Sequence, residues 1–119
     1  MKKQNTNEKK FALKAAKIAA ESHCSDIVVL DLTGISPATD FYVIATGTSD
    51  RQMRAVSDEI SQAARELDQQ RFGRAGYEKA RWILLDYVNV VVHLFDSEYR
   101  DYYDLELLWG DAKRLNIDE

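Results

Sequence analysis

The chain holds one cysteine and one proline among its 119 residues, and no charge or hydropathy extreme. A lone cysteine, Cys24, cannot form an internal disulfide. With only His23 beside it, it offers no metal site, and it fits a reducing compartment, so a cytoplasmic protein is expected. No apolar run approaches the roughly 20 residues of a membrane helix, so no membrane partner is expected. The basic start Met1-Lys2-Lys3 is not followed by an apolar segment, so no secretory signal is expected either. A basic excess is also missing. Lys and Arg number 16 against 20 Asp and Glu, for a net charge of -4. The basic residues are scattered apart from Lys9-Lys10 and the N-terminal lysines. That balance argues against direct nucleic-acid recognition and suits a partner that is itself basic.

What is present is enough for a core: 45% hydrophobic and 30% charged residues, in a length typical of one domain. The most informative stretch is Trp82 to Phe95, W-I-L-L-D-Y-V-N-V-V-V-H-L-F, two strands joined by a tight turn. Strand side chains alternate between faces. One face collects Ile83, Leu85, Val90, Val92 and Leu94 and reads as core. The other collects Trp82, Leu84, Asp86, Val91, His93 and Phe95. That mixture of aromatics, a carboxylate and an imidazole carries too much apolar surface to meet solvent alone. Either the chain covers it or a partner does.

Apolar spacing predicts a helix from Glu8 to His23, with Phe11, Ala15, Ile18 and Ala19 inward. Strands follow at Ile27–Leu32 and Phe41–Thr46, the second apolar on both faces as a central strand would be. Ser49 or Asp50 is placed to cap a helix running to about Leu67, with Met53, Val56, Ile60, Ala63, Ala64 and Leu67 buried. Gln69–Lys79 reads as a loop with room for a short edge strand. Val88-Asn89 suits a tight hairpin poorly, because Val resists positive φ, so a longer or bulged turn is expected. Asp96 is placed to cap a last helical stretch, and Gly110 to stop it. The expected architecture is one mixed α/β domain over residues 1–119, with helices packed on a sheet and frayed tails at 1–7 and 111–119.

Catalytic signals are weak. The turn T-G-T-S before a helix N-terminus could cradle phosphate, but nucleotidyl transfer also needs a D-x-D pair on the next strand, and Asp86 stands alone there. A tight turn with a capping serine is the preferred reading. No catalytic residues, metal ligands or cofactor are assigned, and no enzyme is expected. His93 divides evenly between a hydrogen-bonded histidine under a covering loop and a contact residue. Trp82 is first a core aromatic. Trp109 stands among too many apolar neighbours for one short helix to bury, which leaves Leu105 and Trp109 available for binding.

Several blocks together resemble one family, the ribosomal silencing factors or Iojap-like proteins. They are D-I-V-V-L-D-L at 26–32, S-P-A-T-D-F-Y-V-I-A-T-G-T-S-D-R-Q at 36–52, W-I-L-L-D-Y at 82–87, V-V-V-H-L-F at 90–95 and Y-D-L-E-L-L-W at 103–109. The resemblance covers roughly residues 8 to 110. It implies a nucleotidyltransferase-like fold lacking the catalytic carboxylates. It also implies binding to the large ribosomal subunit through its protein numbered fourteen, which blocks small-subunit joining and represses translation; organelle relatives are linked to large-subunit assembly. The chain departs from the family at Val88-Asn89, where Gly-Asp is usual, and at Ala75-Gly76, where Glu-Gly is usual. The expected contact set is Trp82, Leu84, His93 and Phe95, extended by Leu105, Leu108 and Trp109. Asp86 and Glu106 are assigned to meet basic groups of the partner. A homodimer through the same face is a further reading, as is a nucleotide site at Gly47 and Ser49.

Overall fold

The structure is a computed structural model that describes residues 2–102 and 110–117, with side chains placed over 7–100 and 110–117. The elements run α1 (Lys2–Glu21), β1 (Ser25–Asp31), β2 (Phe41–Thr46), α2 (Asp50–Glu66), β3 (Gly73–Ala75), β4 (Trp82–Asp86), β5 (Val90–Phe95), α3 (Ser97–Tyr102) and β6 (Lys113–Leu115). The six strands form one sheet in the order β3-β4-β5-β2-β1-β6. All pairings are antiparallel except the central one, β2 with β5, where Phe41 lies opposite Val90 and Thr46 opposite Phe95.

Both long helices pack on one side of this sheet. α1 turns Phe11, Ala12, Ala15, Ala16, Ile18 and Ala19 inward, all buried. Its run of alanines lets the helix axis come close to β1, β2 and β5. α2 buries Met53, Val56, Ile60, Ala63 and Ala64. Beneath them lie Val29, Val43, Ala45, Ile83, Leu85, Val90, Val92 and Leu94, which complete the larger core. Burying a side chain of this size stabilises the fold by about 1.5–3 kcal/mol, so this layer supplies most of the cohesion.

The helix ends follow from local chemistry. Ser49 is the N-cap of α2, its Oγ accepting from the Gln52 N–H at 3.0 Å. Both helices stop the same way without glycine. In α1 the Cys24 N–H reaches Ala19 O and the His23 N–H reaches Ala20 O, with His23 at φ 70. In α2 the Gln69 N–H reaches Ala64 O and the Asp68 N–H reaches Arg65 O, with Asp68 at φ 56. Those are the paired bonds of a Schellman ending, and they satisfy the last carbonyls.

Three expectations change. α1 starts at Lys2, six residues before the apolar periodicity does. The segment expected to be a frayed tail contributes β6, whose Lys113, Arg114 and Leu115 pair with Asp31, Leu30 and Val29. The hairpin turn is neither longer nor bulged. Tyr87 N–H donates to Val90 O at 2.9 Å, so Val88 and Asn89 alone make the turn. Val88 takes φ 69, and the Asn89 N–H closes back on Tyr87 O at 2.8 Å, a strained corner for a β-branched residue. Asp86 holds that corner by accepting the Val88 N–H at 2.8 Å. β3 occupies the stretch given as a loop with room for an edge strand.

Candidate functional site

The opposite side of the sheet is built differently. Its inner cluster is small: Leu30, Leu32, Ile44 and Phe95, with Val28, Tyr42, Trp82, Tyr99 and Ala112 packed partly buried around it. Among the described residues, α3 and the segment at Ala112 cover one end of this side. Tyr99 is brought there because α3 starts at once after β5. Asp96 caps it, accepting the Tyr99 N–H at 2.7 Å.

Alternation along β4 leaves Trp82, Leu84 and Asp86 half-buried on this side while Ile83 and Leu85 point into the helix-covered core. Across the ladder, Trp82 lies opposite Phe95 and Leu84 opposite His93. The Trp82 ring stacks on Phe95 with centroids 5.0 Å apart, and its Nε1–H donates to His93 Nδ1 at 3.1 Å. Tyr42, on the neighbouring strand, meets the His93 ring edge-on at 4.7 Å. The result is a row of interlocked rings whose outer members are Trp82 and Tyr42.

His93 and Phe95 are therefore not surface contacts. His93 is 4% exposed and Phe95 is fully buried. Neighbouring rings cover them, and of the two roles open to His93 it is the hydrogen-bonded, covered one that the fold adopts. Burial pushes the His93 imidazole down to about 4, so it is neutral near pH 7. With Nδ1 accepting from Trp82, the ring proton sits on Nε2, which has no hydrogen-bond partner among the described residues. Asp86 stays half-buried beside the turn, with one oxygen committed to the Val88 N–H. Leu105, Glu106, Leu108 and Trp109 lie outside the described residues.

Next to Trp82 the surface forms a groove of about 390 Å³ lined by Ala75, Gly76, Lys79, Arg81, Trp82, Leu84 and Tyr99. Gly76 belongs there for a steric reason: at φ 78, a Cβ would sit 2.0 Å from Trp82 O. Arg81 closes one wall. Its guanidinium lies over the Tyr99 ring at 4.8 Å and pairs with Asp96 at 3.0 Å and with Glu98. The groove residues Ala75, Lys79 and Tyr99 were missed from sequence because they come from three elements with no shared period.

At the turn of Gly47 and Ser49 the first donors serve the fold: the Gly47 N–H goes to Phe95 O at 2.7 Å. Thr48 N–H donates to Gln52 Oε1 at 2.6 Å, and Ser49 Oγ is occupied by the Gln52 N–H. Gly47 is glycine because a Cβ would lie 2.2 Å from Met53 Cγ. Among the described residues no three His, Cys, Asp or Glu side chains gather as a metal set, and no helix is long and apolar enough to cross a membrane.

A mixed sheet, backed by helices on one side and carrying half-covered aromatics on the other, defines an α/β protein with a candidate docking surface. The chain belongs to the ribosomal silencing factor family: the family model described as "Ribosomal silencing factor during starvation" matches residues 4–119. It is similar to ribosomal silencing factor RsfS of Bacillus subtilis, 40% identical over 94% of this chain and 95% of that protein. It is 33% identical to the chloroplastic protein Iojap of Arabidopsis thaliana over 90% of this chain, which spans 44% of that longer protein. A crystal structure of a Chromobacterium violaceum protein superposes with a TM-score of 0.78 at 32% identity, covering 88% of this chain and 85% of that one.

Proposed function

We propose that the chain binds the large ribosomal subunit through its protein numbered fourteen and sterically prevents the small subunit from joining, which represses translation. The observation that carries this reading is the half-exposed pair Trp82 and Leu84 beside an apolar groove, set on a rigid row of rings. Aromatic anchors held in place before binding lose little entropy on docking and are typical energetic centres of interfaces. The net charge of -4 complements a basic ribosomal protein. The mechanism needs no chemistry: a bound body occupies space the other subunit requires. It acts on free large subunits in the cytoplasm, and a role in their assembly uses the same contact. A homodimer through this face would compete with subunit binding.

Within this reading Trp82 and Leu84 touch the partner, while His93 and Phe95 hold Trp82 in place. Asp86 turns its free oxygen toward basic groups, and Leu105, Glu106, Leu108 and Trp109 extend the contact. The test is co-sedimentation with separated subunits. Wild-type protein is expected to pellet with large subunits alone, and progressively less as salt rises. Equal pelleting of a folded Trp82→Ala, Leu84→Ala double variant would remove this face from the function.

A further inference from the structure

On the far side of the sheet edge, where α2 ends, a second and polar pocket of about 280 Å³ is lined by Ser61, Arg65, Gln69, Gln70, Arg71 and Tyr87. Its floor is built from buried hydroxyls. Ser61 is 8% exposed and Tyr87 5%, and the Tyr87 hydroxyl lies 3.5 Å from Ser61 Oγ. Its rim carries two guanidinium groups. Arg54, Arg74 and Arg81 each pair with a carboxylate, whereas no described carboxylate lies within ion-pair reach of Arg65 or Arg71. These two settle instead on neutral oxygens: Arg65 Nη1 donates to Gln62 Oε1 at 2.8 Å and Arg71 Nη1 to Ser61 Oγ at 3.3 Å. Two arginines at one small polar concavity in an acidic chain, neither neutralised, make a site of local positive potential.

The end of α2 would normally oppose an anion here, because helix C-termini expose carbonyl oxygens. In this chain three of the last four are taken. Ala63 O and Ala64 O accept from the Leu67 and Gln69 N–H groups, and Arg65 O accepts from Asp68. The neighbouring acids Glu66 and Asp68 do not line the pocket. The remaining lining groups that can donate are two guanidiniums, two carboxamides and the Ser61 hydroxyl, the Tyr87 hydroxyl being given to Ser61 Oγ. Planar guanidiniums match the oxygens of phosphate in a forked geometry. The volume falls just below the range of about 300–1,000 Å³ for drug-sized ligands, which suits a phosphate or diphosphate group rather than a whole nucleotide.

We propose that this pocket binds a phosphate-class anion, separately from the Trp82 face. The phosphate can come from a small molecule or from a nucleic-acid backbone, and the experiment distinguishes them. Sodium pyrophosphate is titrated by calorimetry at fixed ionic strength into the wild type and into an Arg65→Gln, Arg71→Gln double variant. Thermal unfolding without ligand checks that the variant is folded; if it is not, Arg65→Gln alone is read the same way. Saturable binding is expected, weakened about tenfold for each arginine removed. A short single-stranded RNA oligonucleotide that displaces pyrophosphate through the same arginines identifies a backbone phosphate. One that does not displace it identifies a small phosphate. No binding of pyrophosphate to the wild type, or equal affinity in the variant, overturns the proposal. Pyrophosphate affinity of the folded Trp82→Ala, Leu84→Ala double variant, expected to equal that of the wild type, separates this pocket from the other face.

Discussion

The two sides of the sheet use the same strands to opposite ends. On the helix side, Ile83, Leu85, Val92 and Leu94 vanish beneath α1 and α2, and packing there is mostly aliphatic, with Phe11 edge-on to Tyr87 as an aromatic exception. On the other side, Trp82, His93, Phe95 and Tyr42 lock ring against ring, and the outer rings stay partly accessible. Aliphatic burial is non-directional and tolerates nothing empty. The ring row is directional, with a specific hydrogen bond from Trp82 to His93. Stability is concentrated on one side, and the proposed recognition lies on the other.

The sharpest way to break that comparison is Ile83→Ala. A fully buried residue leaves a cavity, and a loss of about 2–5 kcal/mol is expected in urea denaturation. Subunit binding per folded molecule should be unchanged; a matching loss of binding would mean that the two sides are not separable. Next in size is the pH response of the ring row. The unfolded imidazole titrates near 6.5 and the folded one near about 4. Between those values the unfolded chain takes up a proton that the fold excludes. Stability should therefore fall as pH drops through this window, by about 1.4 kcal/mol per unit, and be fully present above it. Urea midpoints from pH 4.5 to 7 measure this, and His93→Phe should flatten that part of the curve.

Trp82→Ala carries the reverse signature to Ile83→Ala. Binding to large subunits should weaken by about 2 kcal/mol or more, with a smaller cost in urea stability, because half-buried Trp82 loses less burial than an anchor loses contact. If stability falls and binding does not, the aromatic side is core after all. The smallest effect lies at the hairpin joining both sides. Val88 at φ 69 stores strain of about 1–3 kcal/mol, and Val88→Gly should recover about 1 kcal/mol after the added chain entropy of glycine, read as a higher urea midpoint.

The face of each strand residue in 82–86 and 90–95 was legible from alternation alone, and so were the central place of β2 and a cap at Ser49 or Asp50, of which the fold uses Ser49. Depth was not. Period two assigns a side chain to a face but says nothing of what lies above it, so His93 and Phe95 looked as available as Trp82. β6 escaped notice because Lys113-Arg114-Leu115 is too short to show a period and too charged to look like a strand. Only its pairing with β1 reveals it. The Val88-Asn89 turn was misjudged because local propensity was weighed without the tertiary ladder that forces the corner, with Asp86 bracing it. The arginine pocket was hidden by the overall acidity: net charge averages over a surface on which charges are segregated.

The sheet also ends abruptly. Its outermost strands, β3 and β6, are three residues each, and they carry Arg74 on one margin and Lys113 and Arg114 on the other. Margins so brief, one of them carrying Lys113 and Arg114, offer little backbone for another chain to pair with, which is how many β-proteins polymerise. A molecule with a sticky aromatic side is thereby protected from stacking into fibres through its main chain. What it associates with is left to side-chain fit.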